Sequence, residues 1–136
     1  MSIATLKKIF RILTLLAIII VASPWHVFAH TGIAQTVPDH DAILARAPTL
    51  LHFSFNGQVT VTNARLTPVD ENNIQAGNPI TIRLPRNRIG QSTAFGEVID
   101  LDIPTLLPGR YQVVFQVVTI DGHYLSDDFT FTVLAP

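Results

Sequence analysis

An aspartate and a histidine lie on either side of one glycine in the segment VVTIDGHYLSDDFTFTV, residues 117–133. In extended backbone, side chains two residues apart lie on the same face, roughly 6.5 Å apart. The intervening Gly122 adds backbone conformations that are closed to other residues. Asp121 and His123 could therefore converge on one metal ion. Because Asp-Gly is also a common turn signal, a plain hairpin loop is the alternative interpretation.

The expected cleavage of the chain makes His30 a third candidate ligand. Residues 1–29 have three basic residues before an apolar stretch at 12–22 and end in the sequence VFA. This pattern predicts a secretory signal peptide that is cleaved after Ala29, with an uncleaved membrane anchor as the alternative. Cleavage at this point would make His30 the first residue of the mature protein.

A histidine at the N-terminus can bind a metal through two nitrogens. His30 would offer its imidazole and a free α-amine, whose ordinary pKa near 8 allows a metal to displace its proton. Together with His123 and Asp121 it would supply three nitrogens and one carboxylate oxygen, a set that tetragonal copper(II) favours. The alternative is that a histidine at a frayed chain end has no role.

The composition of residues 30–136 excludes several other classes of function. This part of the chain has six arginines, no lysine and ten acidic residues, a net charge of about −4 with histidine neutral. Such a balance provides neither the basic stripe of a nucleic-acid-binding protein nor a polybasic membrane patch. The chain has no cysteine, and its only methionine is Met1. Sulfur ligands, thiol nucleophiles and disulfides are therefore excluded from the mature protein.

The elements that would position these residues are predicted to be β-strands. Apolar residues occupy every second position in five runs, at 51–55, 80–84, 99–103, 111–117 and 129–133, and no helical period is found after residue 30. A turn is predicted at FNGQV, residues 55–59, and loops are predicted at 38–49 and 85–96. The run LLPGRYQV resembles the tyrosine corner of Greek-key proteins. We expect one all-β domain at 30–136, a Greek-key β-sandwich of about seven strands.

Three segments together resemble the CopC family of exported copper-binding proteins: AHTGIAQTVPDHDAIL at 29–44, FSFNGQVTV at 53–61 and LPGRYQVVFQVVTIDGHYLSDDFTFTV at 107–133. The resemblance implies a cupredoxin-like or immunoglobulin-like β-sandwich that binds one Cu(II). It also implies the ligands, which are His30 with its amine, Asp121 and His123. The implied role is that of a periplasmic or otherwise extracytoplasmic copper carrier or buffer, with an inner-membrane CopD-type transporter as partner and no membrane span in the mature form.

The sequence departs from the family pattern in several places. Many relatives have a methionine-rich stretch that holds Cu(I), and the absence of methionine after Met1 predicts that this second site is missing. Tyr124 and Asp127 stand where the family often has proline and glycine. His40 lies between two aspartates, in either a solvated turn or a weak second metal site. His52 alternates with apolar neighbours and is expected to be exposed on a strand.

Two alternatives belong to other functional classes. A histidine pair that includes the N-terminal residue also resembles the copper brace of enzymes that cleave polysaccharides oxidatively. Such an enzyme needs an open coordination position and a broad aromatic surface, whereas residues 30–136 have no tryptophan and only two tyrosines. We therefore expect no enzymatic activity. The second alternative is a metal-free β-sandwich that binds another protein.

Overall fold

A computed structural model describes residues 32–136 of the chain, together with Ile3 and Thr5. The rest of the predicted signal peptide and His30 lie outside the described residues. Residues 32–136 form seven strands and no helix: β1 (Ile33–Val37), β2 (Ala42–Leu44), β3 (Leu50–Val69), β4 (Ile80–Thr81), β5 (Phe95–Asp102), β6 (Gly109–Thr119) and β7 (Tyr124–Val133). The prediction of an all-β fold with about seven strands is confirmed.

The long strand β3 organises the sheet, whose order is β1-β3-β6-β7-β2, with β4 and β5 also paired to β3. Residues 52–55 of β3 pair with β1, and residues 50–54 pair with β5, which also reaches residues 59 and 60. Residues 59–69 pair with β6. The predicted turn at FNGQV is wrong, because these residues continue β3 through a shift in register. Phe55 pairs with β1 and Val59 pairs with β6, and both side chains are buried. The chain therefore continues from one ladder into the next and does not reverse.

The bend in β3 curls the sheet into two layers that enclose the core. The Phe53 ring, in the first half of β3, lies 5.1 Å from the ring of Phe115 on β6 and 6.0 Å from that of Phe129 on β7, measured between centroids. The predicted alternation is confirmed by burial, because the inward residues of β3, β5, β6 and β7 have almost no exposed surface. The aromatic side chains of the two layers therefore hold the sandwich together.

Two local predictions need correction. The segment 38–49 was predicted as a loop, but Ala42–Leu44 forms β2 and pairs in parallel with residues 131–133 of β7. Three residues are too few to show a period, and this strand exists because a distant strand supplies its partner. In the run 80–84 only Ile80–Thr81 forms a strand, although Ile82 and Leu84 are buried as expected.

The β6–β7 hairpin carries the residues of chemical interest. Its ladder runs from Gly109, opposite Val133, to Val118, opposite Tyr124. At the other end of β6, the Tyr111 hydroxyl donates a hydrogen bond of 2.7 Å to the Leu107 carbonyl oxygen. The predicted tyrosine corner is confirmed, and it anchors the start of the strand that ends at the candidate site.

Candidate metal centre

A tight turn joins β6 to β7. The Thr119 N–H donates to the His123 carbonyl oxygen at 2.9 Å, and the Gly122 N–H donates to the Thr119 carbonyl oxygen at 2.9 Å. Gly122 has a φ of 86°, a left-handed conformation that glycine adopts without the steric cost of a side chain. The glycine therefore allows the chain to reverse within the three residues that carry the aspartate and the histidine.

The Thr119 hydroxyl braces this turn from inside. It accepts a hydrogen bond of 3.0 Å from the His123 N–H. It also donates a hydrogen bond to the Asp121 carboxylate. Thr119 lies in the segment 117–133, whose sequence alone assigns it no role. The signal that could have revealed the role is a hydroxyl residue two positions before an Asp-Gly turn, since such side chains bond to nearby backbone N–H groups.

Asp121 and His123 come together as the spacing predicted. Asp121 Oδ2 lies 3.0 Å from His123 Nδ1, and the two side chains remain 66% and 76% exposed. The hydrogen bond from Thr119 is the main cause that lowers the pKa of Asp121 below its usual value, and the charge of His123 adds to the effect. The carboxylate is therefore ionised at neutral pH, as a metal ligand must be.

The pair lies at the end of the sandwich where the described chain begins. The carbonyl oxygen of Gly32 accepts a hydrogen bond of 3.1 Å from the Asn56 N–H. A cavity of about 180 Å³ next to it is lined by Gly32, Ile33, Phe55, Phe115, Val117, Leu125, Ser126 and Asp127. Leu125 is two residues beyond His123 in the chain. Gly32 and this part of β7 thus border the same cavity.

Within residues 32–136 and the two described residues near the N-terminus, no group of three or more potential metal ligands comes together. Asp121 and His123 are two of the three predicted ligand residues. The third, His30, lies outside the described residues, so its place in the site stays a prediction.

His40 is held by the protein through both of its ring nitrogens. Nδ1 accepts a hydrogen bond of 3.3 Å from the Thr130 N–H, and Nε2 lies 3.2 Å from Asp41 Oδ2. The same aspartate accepts hydrogen bonds from Arg110 and from the Thr130 hydroxyl. The Nδ1 lone pair is therefore used by the Thr130 N–H, and these contacts tie the β1–β2 connection to β6 and β7.

His52 lies on the outer face of the β1–β3–β5 layer, as its alternation with apolar neighbours predicted. Its Nδ1 is 2.6 Å from Oδ1 of Asp100 on β5, and 35% of its side chain is exposed. His52 and Asp100 thus form another histidine–aspartate pair, made by two neighbouring strands rather than by one turn. It is a natural control for the pair at 121 and 123.

The CopC domain family matches residues 33–134. The chain belongs to the CopC family. It is 29% identical over 109 residues to Protein YobA of Escherichia coli K12, a match that covers 79% of this chain and 81% of that protein. This membership confirms the family that the sequence resembles and, with it, the expectation of a protein that is not an enzyme.

Two solved structures have a similar fold. CopC from Methylosinus trichosporium OB3b is 23% identical, with a TM-score of 0.54 and coverage of 77% of this chain and 94% of that one. PcoC from Escherichia coli, described as a methionine-rich copper resistance protein, is 21% identical, with a TM-score of 0.53 and coverage of 77% and 99%. These likenesses place the fold of this CopC-family chain among solved copper resistance proteins.

No helix in the described residues is both long and apolar enough to span a membrane.

Proposed function

We propose that this CopC-family protein is an exported copper(II) carrier or buffer. It binds one Cu(II) through the imidazole and α-amine of His30, the Asp121 carboxylate and the His123 imidazole. The observation that carries the proposal is the Asp121–His123 pair, whose facing atoms are 3.0 Å apart on a braced turn. The family membership supports copper as the cargo, because solved structures of the same fold are named copper resistance proteins.

The position of Gly32 supports His30 as the third ligand residue. Gly32 lines the cavity whose β7 side includes Leu125, two residues from His123. His30 precedes Gly32 by two residues, a span of at most about 7 Å in extended backbone. This short connection supports His30 as a ligand of the same ion, and cleavage after Ala29 would expose the amine that completes the chelate.

The donor set favours Cu(II) over other divalent ions. Nitrogen-rich sites bind copper most tightly among the first-row metals, and imidazole and amine nitrogens suit its tetragonal geometry. Cu(I) prefers soft sulfur ligands, and the chain has no cysteine and only the initiator methionine. Reduction of the bound ion would therefore favour its release. This chemistry suits a protein that hands copper on, and a CopD-type transporter of the inner membrane is the proposed recipient in an extracytoplasmic compartment.

The proposal is tested first on the exported protein as the cell makes it. Intact mass and N-terminal sequencing should show that the chain starts at His30. Isothermal titration should then show one equivalent of Cu(II), with an affinity that falls in acid because protons compete for the imidazole and amine lone pairs. A different first residue would remove the α-amine of His30 from the ligand set and would contradict the proposal.

Matched variants locate the site. His123→Ala and Asp121→Asn should each weaken Cu(II) binding at least about tenfold. His52→Ala, which removes the histidine–aspartate pair between β3 and β5, should leave Cu(II) binding unchanged. A variant with one glycine inserted before His30 should lose the chelating amine while keeping the imidazole. Equal effects of His52→Ala and His123→Ala would mean that copper is not held by the turn. If copper changes neither the visible absorption nor the melting temperature, the protein is instead the metal-free β-sandwich considered above.

A further inference from the structure

One edge of β7 has no neighbouring strand over half of its length among the described residues. β6 pairs with β7 from Tyr124 to Val133, but on the other side β2 pairs only with residues 131–133. We propose that the open edge, residues 124–128, binds an extended, positively charged segment of a partner protein as an added β-strand. Strand addition of this kind uses main-chain hydrogen bonds for affinity and side-chain pockets for specificity. The inference does not depend on the proposed copper site.

The backbone groups of this edge are oriented for pairing. The Thr130 N–H donates to His40 Nδ1 and its carbonyl oxygen accepts a hydrogen bond of 2.7 Å from the Asp41 N–H, so the Thr130 backbone faces away from β6. Every second residue of a strand presents its N–H and C=O to the same edge. Asp128 and Ser126 therefore also face outward. The Asp128 N–H donates a hydrogen bond of 2.8 Å to the Asp127 carboxylate, and no described strand pairs with Ser126 on this side. An added strand would continue the line that β2 begins.

A cavity beside the open edge can receive an apolar side chain. The cavity of about 180 Å³ has Phe55 and Phe115 in its wall, and Leu125 and Asp127 of β7 at its border. A cavity of roughly this size, lined by apolar side chains, can hold a benzene ring. Alternate side chains of an added strand point to the same face, so one phenylalanine or leucine could fill the cavity while its neighbours stay outside.

The negative charge of the open edge favours a cationic partner segment over a second copy of the chain. Asp127 and Asp128 are adjacent, exposed carboxylates on the open segment. Pairing of two copies through this edge would place four carboxylates on one short ladder, where nearby like charges repel each other. A segment with lysine or arginine would instead form opposite-charge pairs across the new ladder. The edge is therefore complementary to a cationic partner and unfavourable for a second copy.

The edge also begins next to the candidate metal centre. His123 immediately precedes Tyr124, the first residue of the open segment. A partner strand paired along residues 124–128 would have one end beside the His123 imidazole. If the protein carries copper, this placement would bring a recipient close to the ion without any change in the fold.

The first test uses a blocked seven-residue peptide that alternates lysine and valine, with one central phenylalanine. Its binding to the exported protein is followed by amide NMR shifts and by hydrogen exchange. The expected result is saturable binding that shifts and protects the Ser126 amide and weakens at high salt. A peptide with glutamate in place of each lysine should bind at least about tenfold more weakly. Absence of binding by the lysine peptide, or equal binding of the two peptides, would overturn the proposal.

Two variants separate strand addition from general charge attraction. Ser126→Pro removes an outward N–H, so binding of the lysine peptide should fall at least about tenfold. Because proline is tolerated at edge positions that do not donate to the ladder, the melting temperature should stay unchanged. The double variant Asp127→Asn, Asp128→Asn should weaken peptide binding. The control double variant Glu97→Gln, Asp102→Asn removes the same charge from β5 and should leave peptide binding unchanged. Unchanged binding by Ser126→Pro would contradict strand addition. Concentration-dependent dimers that this substitution abolishes would make a second copy the occupant.

Discussion

The Tyr111 hydroxyl reaches back to the Leu107 carbonyl oxygen and closes the connection from β5 into β6 with a hydrogen bond of 2.7 Å. Burial raises the pKa of the Tyr111 hydroxyl, so it remains a protonated donor at neutral pH. The ring also stacks on Phe131, with centroids 5.8 Å apart. One side chain thus couples the loop before β6 to the core and to β7.

Tyr111→Phe removes this hydrogen bond and keeps the ring. Because the Leu107 carbonyl loses its donor, the free energy of unfolding should fall by about 1 to 2 kcal/mol, measured by urea denaturation. Tyr124→Phe is the matched control, because that side chain is 80% exposed, and it should change stability by less than about 0.5 kcal/mol. Equal effects of the two substitutions would contradict a specific role for the corner.

Phe53 is the centre of the aromatic cluster between the layers. It is fully buried and packs against rings from β6 and β7. Phe53→Ala should lower the free energy of unfolding by about 3 to 5 kcal/mol, because the lost apolar transfer energy adds to the cost of a cavity. The control is Phe95→Ala, at a position 56% exposed, which should cost far less in the same denaturant titration. A small effect at Phe53 would mean that the two layers are held by other contacts.

Asp41 makes stability depend on pH. The Thr130 hydroxyl and then the Arg110 guanidinium lower the pKa of Asp41 below its ordinary value of 3.8. A carboxyl whose pKa is lower in the folded than in the unfolded state stabilises the fold above the unfolded-state pKa, and this contribution is lost as the pH falls through the folded-state pKa. Asp41 also has a φ of 58°, which asparagine tolerates.

Asp41→Asn should therefore melt at a lower temperature than the unsubstituted protein at pH 7. The difference should shrink as the pH falls below about 4, because the native carboxyl then becomes neutral as well. Thermal denaturation followed by circular dichroism between pH 2 and 7 would measure it, over about the range where carboxyls titrate. A difference that stays constant over the whole range would show that the charge of Asp41 is not the cause.

Thr119 should act as a positioning residue for the candidate metal centre. Thr119→Val keeps the β-branched shape but removes the hydroxyl that bonds to Asp121 and to the His123 N–H. Loss of such a supporting contact typically weakens metal binding by about 10- to 100-fold, and a Cu(II) titration should show a loss in this range. Thr62→Val, which removes a hydroxyl bonded to the Gln116 carbonyl oxygen, is the control. Restoration of affinity by Thr119→Ser would separate the hydroxyl from a packing effect.

The sequence alone was enough to predict the all-β class, the inward faces of the strands, the tyrosine corner and the Asp121–His123 turn. These features depend on residues close together in the chain, namely a period of two, a Leu-x-Pro-Gly-x-Tyr run and an Asp-Gly pair. The CopC resemblance was carried by the same local segments, and the family comparison confirmed it. The site of cleavage and the ligand role of His30 stay predictions.

Only the tertiary structure decided which distant residues share an environment. FNGQV has a turn-forming composition, yet the burial of Phe55 and Val59 in two different ladders keeps the chain extended through it. His40 lies in an exposed turn, as one of the two sequence interpretations had it, but its partner Thr130 lies on a strand near the other end of the chain. Both outcomes have one physical reason. Pairing and burial between segments far apart in the chain outweigh local preference, and no local pattern records them.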